Sequence, residues 1–394
     1  MQHKTKIGIA GTGFIASGLF RMIERAEDFD VVSILTRRPK ESITHLPGNL
    51  VTNSLEDFIS STDIILECSG DALHATDVIL AAVTSQKKVV TVNAEFHVTS
   101  GSYFVKRGNY VTESDGDQPG CFARMKLELE GMGFNPMAYV NLKGFLNPNP
   151  TLEEMTYWSK KQQLHINQVV SFTDGTKLQI EQTLVGNGLG ATIAQNGMIG
   201  SRVDSLYDLD HLVSTSEKIG QPISDYVLCK DSPPGILIVA QNPEADQLPG
   251  YLPFSKLRTT ENRAYVLLRP FHLVYLETLN TLRKVVNGEP VLLNNSAAPT
   301  LTVAAVAKRN MQKGEIIKRG AGGFDVRGMA VKIRENRNAV PICLLKNTKV
   351  MRRIEEGRIV QFEDVEIHPS NALNCYLDGL DNSKIAADHH RKQA

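Results

Sequence analysis

The stretch from Lys6 to Gly18 constrains the fold more than any other part of the chain. It reads Lys-Ile-Gly-Ile-Ala-Gly-Thr-Gly-Phe-Ile-Ala-Ser-Gly, so a short apolar run leads directly into the pattern Gly-x-Gly-x-x-Ala. An apolar run of this kind is typical of a strand that is buried on both faces of a parallel sheet. We therefore predict a strand, a tight turn and a helix that begins near Phe14.

Each small residue of this pattern has its own physical role. Gly11 lets the chain turn tightly out of the strand, Gly13 lets the backbone approach a pyrophosphate, and Ala16 lets the helix pack closely on the strand. The first turn of the helix, with Phe14 and Ile15, directs its amide groups and its dipole at the phosphates. An amphipathic stretch and a second buried strand follow, so nucleotide binding is favoured over a purely structural glycine turn.

The residues after the second predicted strand indicate which cofactor is bound. Proteins that bind NAD through this fold usually place Asp or Glu there, which accepts hydrogen bonds from the ribose 2′-hydroxyl. This chain has Thr36, Arg37 and Arg38 instead. An Arg offers a 2′-phosphate a planar, charged fork, whereas a carboxylate would repel it. We predict NADP over NAD; the alternative is that both Arg side chains are solvated surface charges.

Strands and helices alternate along the rest of the first hundred residues, which is typical of a doubly wound α/β fold. Asp71 is predicted to cap the helix that follows it. Ligands of such sheets bind beyond the carboxyl ends of the strands. This rule places five further residues near a bound nicotinamide, although those of the last loop could equally face water. The five are Ser69, Gly70, Asn93, Ala94 and Glu95.

The segment around Asp174 is the main candidate for substrate chemistry. A predicted strand that begins at Val169 ends at Asp174, and a helix begins at Thr176. Lys177 and Glu181 are four residues apart on that helix and so share a face. They form either an exposed ion pair of little energetic value or, with Asp174, a site where a carboxylate tunes a Lys that polarises a carbonyl or donates a proton.

Two carboxylates, Asp115 and Asp117, lie in the Gly- and Pro-rich segment 113–121. Acidic turns are common, and the spacing favours a turn over a pair that binds metal or acts as a general acid. No metal ligand is assigned from sequence. A divalent cation, Mg²⁺ or Mn²⁺, stays an alternative that no spacing here indicates.

The composition argues against several classes of partner. Lys plus Arg equals Asp plus Glu, at 43 each, so no overall basic field indicates nucleic acid or an anionic membrane. The five cysteines contain no Cys-x-x-Cys pair, so neither a zinc site nor a disulfide framework is expected. The polar N-terminus runs into the first predicted strand, and no apolar run approaches membrane-spanning length. A cytoplasmic location is therefore expected.

At 394 residues the chain is too long for one hydrophobic core. We predict a dinucleotide-binding domain over 1–120, a catalytic α/β domain over 121–298 and a small β-rich module over 299–385. A strong helical pattern over 271–286 belongs to the middle segment and is able to pack back on the first domain.

Several strings together resemble the homoserine-dehydrogenase-like oxidoreductases that carry a C-terminal SAF (antifreeze-like) domain. The most specific are Asp115-Gly-Asp-Gln-Pro-Gly120 and Phe172-Thr-Asp-Gly-Thr-Lys177, and further ones are Lys143-Gly-Phe145 and Ala304-Ala-Val-Ala-Lys-Arg309. The resemblance implies a Rossmann domain, a catalytic α/β domain, a SAF-like module and NADP-dependent redox chemistry on a small hydroxy-carbonyl compound. One branch of the family consists of enzymes similar to 1-deoxy-D-xylulose 5-phosphate reductoisomerase.

Two classes of function follow from this resemblance. In the first, hydride passes between nicotinamide and a small, sugar-like substrate that is held by Lys143, Asp174 and Lys177, with Glu181 as the tuning carboxylate. In the second, the chain is a non-catalytic sensor of NADPH. Ala94 follows Asn93 where homoserine dehydrogenases carry Lys, which argues against homoserine as substrate. A homodimer is common among such enzymes and is the expected assembly.

Overall fold

The computed structural model describes residues 4–244 and 257–380, and its chain contacts divide into two units. Unit 1 comprises the described parts of Met1–Cys121, Leu273–Ala298 and Ser370–Ala394. Unit 2 comprises the described parts of Phe122–His272 and Pro299–Pro369. Each unit is therefore built from segments that are far apart in sequence.

The strands of both units follow here in chain order. They are β1 Thr5–Ala10, β2 Phe29–Leu35, β3 Val51–Thr52, β4 Ile64–Glu67, β5 Lys88–Thr91, β6 Val111–Glu113, β7 Asn135–Lys143, β8 Ser201–Arg202, β9 Ile223–Leu228, β10 Ile236–Gln241, β11 Tyr265–Arg269, β12 Leu301–Ala307, β13 Ile316–Arg319, β14 Val326–Lys332, β15 Lys346–Val350 and β16 Val365–Glu366.

The α-helices follow in the same order. They are α1 Phe14–Ile23, α2 Leu55–Ser61, α3 Ala72–Thr84, α4 Ala94–Phe96, α5 Ser102–Lys106, α6 Gln118–Gly131, α7 Leu152–Gln162, α8 Ile166–Thr173, α9 Thr176–Leu189, α10 Asp210–Ile219, α11 Val274–Val286 (the helix predicted over 271–286 from sequence) and α12 Asn371–Gly379. Across 4–244 and 257–380, no helix combines the length and the apolar character that crossing a lipid bilayer requires.

Unit 1 is built on a six-stranded parallel sheet in the order β3-β2-β1-β4-β5-β6. The central strand β1 is buried from Ile7 onward, as expected for a strand that has helices on both faces. The strand order reverses between β1 and β4, which is the point where such sheets bind ligands at the carboxyl ends of their strands. The doubly wound fold class predicted for the N-terminal part is confirmed.

Helix α11 packs in unit 1 although it begins about 160 residues after the last strand of the sheet, β6. Its Leu282 and Val285 are buried in the same core cluster as Leu19 and Ile23 of α1. These apolar residues lie one turn apart on the inner face of the helix, which explains why burial holds it against α1.

The strand predicted to begin at Val169 is wrong, because the segment is helix α8. The adjacent valines suggest a strand, but Ile166, Val169 and Val170 have the i, i+3, i+4 spacing of one helical face. His165 caps the helix through a reciprocal pair with Gln168. Asp174 therefore lies in a short connection between two helices.

Unit 2 contains a five-stranded mixed sheet in the order β11-β10-β7-β9-β8. Strand β7 pairs parallel with β9 and antiparallel with β10. Val140 and Leu142 of β7 share a buried cluster with Leu212 and Val213 of α10, which covers one face of the sheet. Helix α9 contacts β7 and β9 and is buried at nearly every position.

The C-terminal segment contains the β12-β14 pair and a small sheet of β13, β15 and β16. Its residues 299–369 group with unit 2, and α12 groups with unit 1. The predicted module over 299–385 differs from this grouping, because β12 and β14 lie against α9 and α12 packs on α3 and α5. Residues 381–385 of the predicted module lie outside the described residues.

Candidate active site

The two glycines of the phosphate loop differ in their surroundings. Gly11 has φ +131°, and a Cβ atom there would lie 2.9 Å from the Cys68 carbonyl oxygen. Gly13 has an ordinary extended backbone, and a Cβ atom there would meet nothing within 4 Å, so only Gly11 is required for steric reasons. Gly11 therefore permits the tight turn, whereas Gly13 keeps an open approach to the backbone, as the sequence analysis predicts.

The N-terminus of α1 offers its amide groups to a ligand. Gly13 is the capping residue, no side chain caps the helix, and its first turn contains no acidic residue. The leading amides of a helix have no intrahelical partner, and they attract anions. Phe14 is 65% exposed and Ala16 is 1% exposed, so Ala16 packs against the sheet as predicted.

Thr12, between the two glycines, is held by two side chains from beyond β2. Arg38 Nη2 donates to the Thr12 carbonyl oxygen at 3.1 Å and to Thr12 Oγ1 at 2.7 Å. The Nε2 atom of His45 lies 3.0 Å from the same carbonyl oxygen. Thr36 Oγ1 accepts the Arg38 backbone amide at 3.2 Å. The end of β2 is thus joined to the phosphate loop.

Arg37 and Arg38 make different contacts. Arg37 Nη1 lies 2.9 Å from Asp71 Oδ2, and Asp71 also caps α3 by accepting the Leu73 and His74 amides. An open cavity of about 570 Å³ lies between the end of β2 and α3. Its lining consists of Leu35, Thr36, Arg37, Arg38, Pro39, Asn53, Leu55, His74 and Asp77.

A buried carboxylate orders the carboxyl ends of β4 and β5. Glu67 Oε1 accepts the amide and the hydroxyl of Ser69 at 2.8 and 2.5 Å, and its Oε2 accepts the Thr91 hydroxyl at 2.9 Å. Burial raises the pKa of Glu67, and hydrogen bonds from Ser69, Thr91 and Asn93 oppose the rise. Gly70 follows with φ +65°, so the chain turns sharply beside this group.

The predicted residues after β5 are mostly buried in unit 1. Asn93 Oδ1 caps α4 by accepting the Phe96 amide at 3.1 Å. Asn93 is 1% exposed, Ala94 is fully buried, and Glu95 is half-buried. Asn93 and Ala94 therefore shape the loop through their backbone and their capping bond.

One turn further on, His97 lies in a single π-helical turn, His97–Gly101. Its Nε2 atom is 3.4 Å from Glu113 Oε2, and both side chains are buried. Burial lowers the pKa of His97 to about 3. The imidazole is therefore neutral in the folded chain at neutral pH.

The acidic segment after β6 forms a turn against α11. The Asp115 amide donates to Thr281 Oγ1 at 2.9 Å, and Ser114 donates its hydroxyl to Thr278 Oγ1 at the same distance. Side-chain ligand atoms of Asp115, Cys121 and Glu277 lie within 4.8 Å of one another. This donor set does not fit Mg²⁺ as a complete site, because a thiol is not among the oxygen ligands that Mg²⁺ takes.

In unit 2, Asp174 forms a buried ion pair. The Lys308 Nζ atom lies 2.5 Å from Asp174 Oδ2 and also donates to the Gly323 carbonyl oxygen at 2.9 Å. Asp174 Oδ1 accepts the Thr176 amide at 2.9 Å. Burial raises the pKa of Asp174, and the Lys308 ammonium opposes that rise. Asp174 therefore fixes the start of α9 to the C-terminal segment.

The other predicted catalytic residues share one end of unit 2. Lys177 Nζ lies 3.9 Å from Glu181 Oε1, and Asn141 donates to Glu181 Oε2 at 3.3 Å. Lys143 is two residues beyond Asn141 and thus on the same face of β7. Gln182 of α9 donates to the Tyr139 carbonyl oxygen, and Glu181, one residue earlier, meets Asn141, two residues later, which indicates that α9 runs antiparallel to β7. This direction brings the first turn of α9 to the carboxyl end of β7.

Sequence reasoning missed several residues that organise these regions. Thr12 and His45 hold the phosphate loop, Glu67 orders the ends of two strands, and Lys308 neutralises Asp174. The role of each of these residues is visible only from its contact with a residue that is distant in sequence. Only the string Ala304–Arg309, which contains Lys308, gave a signal, and it did so through the family resemblance.

Two family models match separate parts of the chain. The model described as the homoserine dehydrogenase NAD-binding domain matches residues 11–104, and the model described as the catalytic domain of the oxidoreductase DRL matches residues 116–278. The first match covers the phosphate loop and strands β2 to β5 of unit 1, and the second covers Lys143 to Glu181. Both matches end before residue 299, so the SAF-like module stays a prediction.

Solved structures with a similar fold include three dehydrogenases. A probable dehydrogenase from Thermotoga maritima is 13% identical, with a TM-score of 0.40, over 74% of this chain and 91% of that one. A UDP-N-acetylglucosamine 3-dehydrogenase from Acidithiobacillus ferrooxidans is 9% identical, with a TM-score of 0.44, over 75% and 93%. A homoserine dehydrogenase from Thiobacillus denitrificans is 12% identical, with a TM-score of 0.44, over 86% and 94%. No curated protein matches the sequence.

The parallel sheet with its phosphate loop and the two family-model matches define the class of protein. The chain is an NAD(P)-binding oxidoreductase, and the sequence-based prediction of an enzyme with a nicotinamide cofactor is confirmed at this level.

Proposed function

We propose that this enzyme uses NADP to transfer hydride to or from a small hydroxy-carbonyl compound, sugar-like and in some cases phosphorylated. The observation that carries the choice of cofactor is the pair of guanidinium groups on the cavity at the end of β2. When bound, the cofactor supplies the hydride chemistry. The residues of this chain bind and orient both reactants.

The cavity beside β2 suits the adenosine end of NADP. Leu35, Pro39 and Leu55 give it apolar walls for a base, and Thr36 carries no charge that would repel a phosphate. Arg38 uses Nη2 on Thr12, which leaves the other edge of its guanidinium able to bind a 2′-phosphate. Arg37 adds charge to the same cavity, and its link to Asp71 fixes its position.

Replacing Arg37 and Arg38 by Met tests the cofactor assignment. Charge-assisted hydrogen bonds are worth about 1.5–3 kcal/mol each, so we expect NADPH affinity to fall by roughly a hundredfold and NADH affinity far less. Titration of both cofactors, followed by nicotinamide fluorescence, measures the two effects. Equal losses for NADPH and NADH would contradict the assignment.

We propose that Lys177 and Lys143 hold the reacting oxygen of the substrate. Lys177 is less buried than any other residue from 174 to 187, and Glu181 provides a nearby negative charge. An ammonium in this setting stabilises an alkoxide by hydrogen bonding and donates a proton to it as the carbonyl is reduced. Asn141 keeps Glu181 in place. In this scheme Asp174 is a positioning residue that acts through the start of α9.

The substitution Lys177→Met tests this role, because Met keeps the length of the stem and removes the charge. General acid–base catalysis contributes roughly 10²–10⁴-fold, and we expect kcat to fall by that factor with the affinity for NADPH unchanged. Glu181→Gln should move the pH profile of kcat with a smaller loss. Full activity in Lys177→Met would rule out the assignment.

A reductoisomerase, which also rearranges the carbon skeleton, is the alternative that the family resemblance suggests. Such a reaction commonly uses a divalent cation, and the group of Asp115, Cys121 and Glu277 does not fit Mg²⁺ as a complete site. NADPH oxidation should be followed with 1-deoxy-D-xylulose 5-phosphate and with a panel of free and phosphorylated keto- and aldo-sugars, with and without Mg²⁺ or Mn²⁺. Turnover of another carbonyl compound alone supports the simple oxidoreductase. Tight NADPH binding without turnover of any compound supports a sensor.

We further propose a homodimer in the cytoplasm, with a small molecule rather than nucleic acid or membrane as partner. The equal numbers of acidic and basic residues support the choice of partner. Light scattering after size-exclusion chromatography tests the assembly, and a monomeric mass would contradict it.

A further inference from the structure

We propose that His45 and Arg38 act together as a clamp on the Thr12–Gly13 peptide, which fixes the direction of an anion-binding amide in the phosphate loop. This inference rests on the proposed function, since it concerns the same cofactor site. It assigns His45 as a positioning residue for the pyrophosphate of the cofactor.

The clamp consists of two donors on one carbonyl oxygen. Arg38 Nη2 and His45 Nε2 lie 3.1 and 3.0 Å from the Thr12 carbonyl oxygen. A carbonyl oxygen only accepts, so His45 carries a hydrogen on Nε2. Arg38 holds the Thr12 hydroxyl as well, at 2.7 Å. Thr12 is 7% exposed, and both its backbone and its side chain are thereby fixed.

Because the peptide bond is planar, holding the Thr12 carbonyl oxygen also sets the direction of the Gly13 N–H. In a planar trans peptide, the C=O of one residue and the N–H of the next point in opposite directions. Two donors that hold the Thr12 oxygen therefore orient the Gly13 N–H away from Arg38 and His45. A Cβ atom on Gly13 would meet nothing within 4 Å, so there is space for a phosphate beside this residue.

Glycine makes such a clamp necessary. Gly11 and Gly13 are both free to adopt many backbone conformations, and the peptide between Thr12 and Gly13 rotates easily in a loop with no other restraint. Binding a phosphate to an unrestrained loop would cost conformational entropy. A loop held in its binding conformation avoids part of that cost.

The two clamp residues differ in what else they do. Arg38 also lines the cavity at the end of β2, whereas His45 is absent from that lining. Loss of His45 should therefore affect every ligand that carries a pyrophosphate, with or without a 2′-phosphate. Loss of Arg38 should weaken both the clamp on Thr12 and the binding of the 2′-phosphate.

The test compares three ligands by isothermal titration calorimetry: NADPH, NADH and 2′-AMP, which lacks the pyrophosphate. For His45→Leu we expect NADPH and NADH to bind about three- to tenfold more weakly, with 2′-AMP unchanged. His45→Gln keeps an N–H donor at a similar reach and should restore most of the affinity. Arg38→Met should weaken all three ligands, and NADPH the most.

His368→Leu is the matched control. His368 Nε2 lies 3.1 Å from the Asn347 carbonyl oxygen in unit 2, so the variant removes a similar exposed bond elsewhere. It should leave the affinities for all three ligands unchanged. Thermal unfolding of His45→Leu should match that of the wild type, because the side chain is exposed.

The outcomes separate the inference from the proposed function. Unchanged NADH affinity in His45→Leu, or an equal loss of 2′-AMP affinity, would overturn the clamp. NADH binding as tight as NADPH in the wild type would overturn the NADP preference alone, and the NADH titration would still test the clamp. A wild-type protein that binds neither dinucleotide would overturn both.

Discussion

Helices α1 and α9 both start beside a candidate site, yet they are built in opposite ways. Helix α1 is amphipathic: Ala16, Leu19 and Ile23 are buried, Phe14 and Arg21 are exposed, and its other residues are partly buried. Helix α9 is buried at every position from Leu178 to Asn187. The first helix packs through one apolar stripe, whereas the second is enclosed within unit 2.

Because α9 is enclosed, its polar side chains form hydrogen bonds with other groups of the protein. Thr176 and Gln179 accept the backbone amides of Gly328 and Ala330 in β14 at 2.9 and 2.8 Å. Asn187 accepts the Leu301 amide of β12 and donates to its carbonyl oxygen, both at 3.0 Å. Polar side chains of α9 thus satisfy buried backbone groups of strands more than a hundred residues away. The proposed cofactor site uses the backbone of α1, whereas unit 2 depends on the side chains of α9.

The largest expected effect comes from the ion pair at the start of α9. Lys308→Met leaves the buried Asp174 carboxylate without its cation, and loss of one partner of a buried pair costs about 3–5 kcal/mol. We expect the free energy of unfolding, measured with urea, to fall by that amount. The double variant Asp174→Leu/Lys308→Met should recover much of the loss, because no unpaired charge remains.

The neighbouring Arg309 provides the control for this experiment. It pairs with Asp325 and Glu315 but is nearly half exposed. Arg309→Met should lower the free energy of unfolding by no more than about 1 kcal/mol. If Lys308→Met and Arg309→Met lower the free energy of unfolding equally, burial does not make the Asp174–Lys308 pair more stabilising than an exposed pair.

A smaller effect is expected at Gln179. The substitution Gln179→Met leaves the Ala330 amide and the Gly197 carbonyl oxygen without their side-chain partner, and an unsatisfied buried group costs about 1–3 kcal/mol. Urea unfolding measures the loss. Gln162→Met on the exposed face of α7 is the matched control and should change stability by less than about 0.5 kcal/mol. Similar values for both variants would contradict the role assigned to α9.

In unit 1, His97 should make stability depend on pH. Burial lowers its pKa to about 3 from the ordinary value of 6.5. The unfolded chain therefore takes up a proton below pH 6.5 that the folded chain does not, so this contribution to stability is lost as the pH falls toward 3. Relative to His97→Gln, wild-type stability should fall more steeply as the pH is lowered from about 6.5 toward 3. Parallel pH profiles for the two proteins would contradict this burial effect.

The smallest effect is expected at a helix cap that the sequence identifies. Asp71 accepts the Leu73 and His74 amides at the start of α3. Asp71→Ala should cost about 1 kcal/mol of the free energy of unfolding. Asp71→Asn keeps a capping oxygen and should cost less. A loss in Asp71→Asn as large as in Asp71→Ala would assign the effect to the ion pair with Arg37 instead.

Local patterns were sufficient for much of unit 1. The phosphate loop, the parallel strands and the cap at Asp71 depend on residues within a few positions of one another, and the structure contains all of them. At Val169 the prediction from the local sequence was wrong. Two adjacent valines fit a strand or a helix, whereas the wider spacing of Ile166, Val169 and Val170 and their shared apolar cluster in unit 2 match a helix.

The sequence by itself determined the class of the nucleotide-binding fold, because glycine spacing and strand burial act over a few residues. Only the tertiary structure decided that Lys308 neutralises Asp174, that α11 packs with unit 1, and that His45 and Arg38 hold Thr12. Each of these contacts joins residues between 26 and 134 positions apart, or segments still more distant. Buried charges and backbone groups require partners, and folding in three dimensions selects which distant residue provides them.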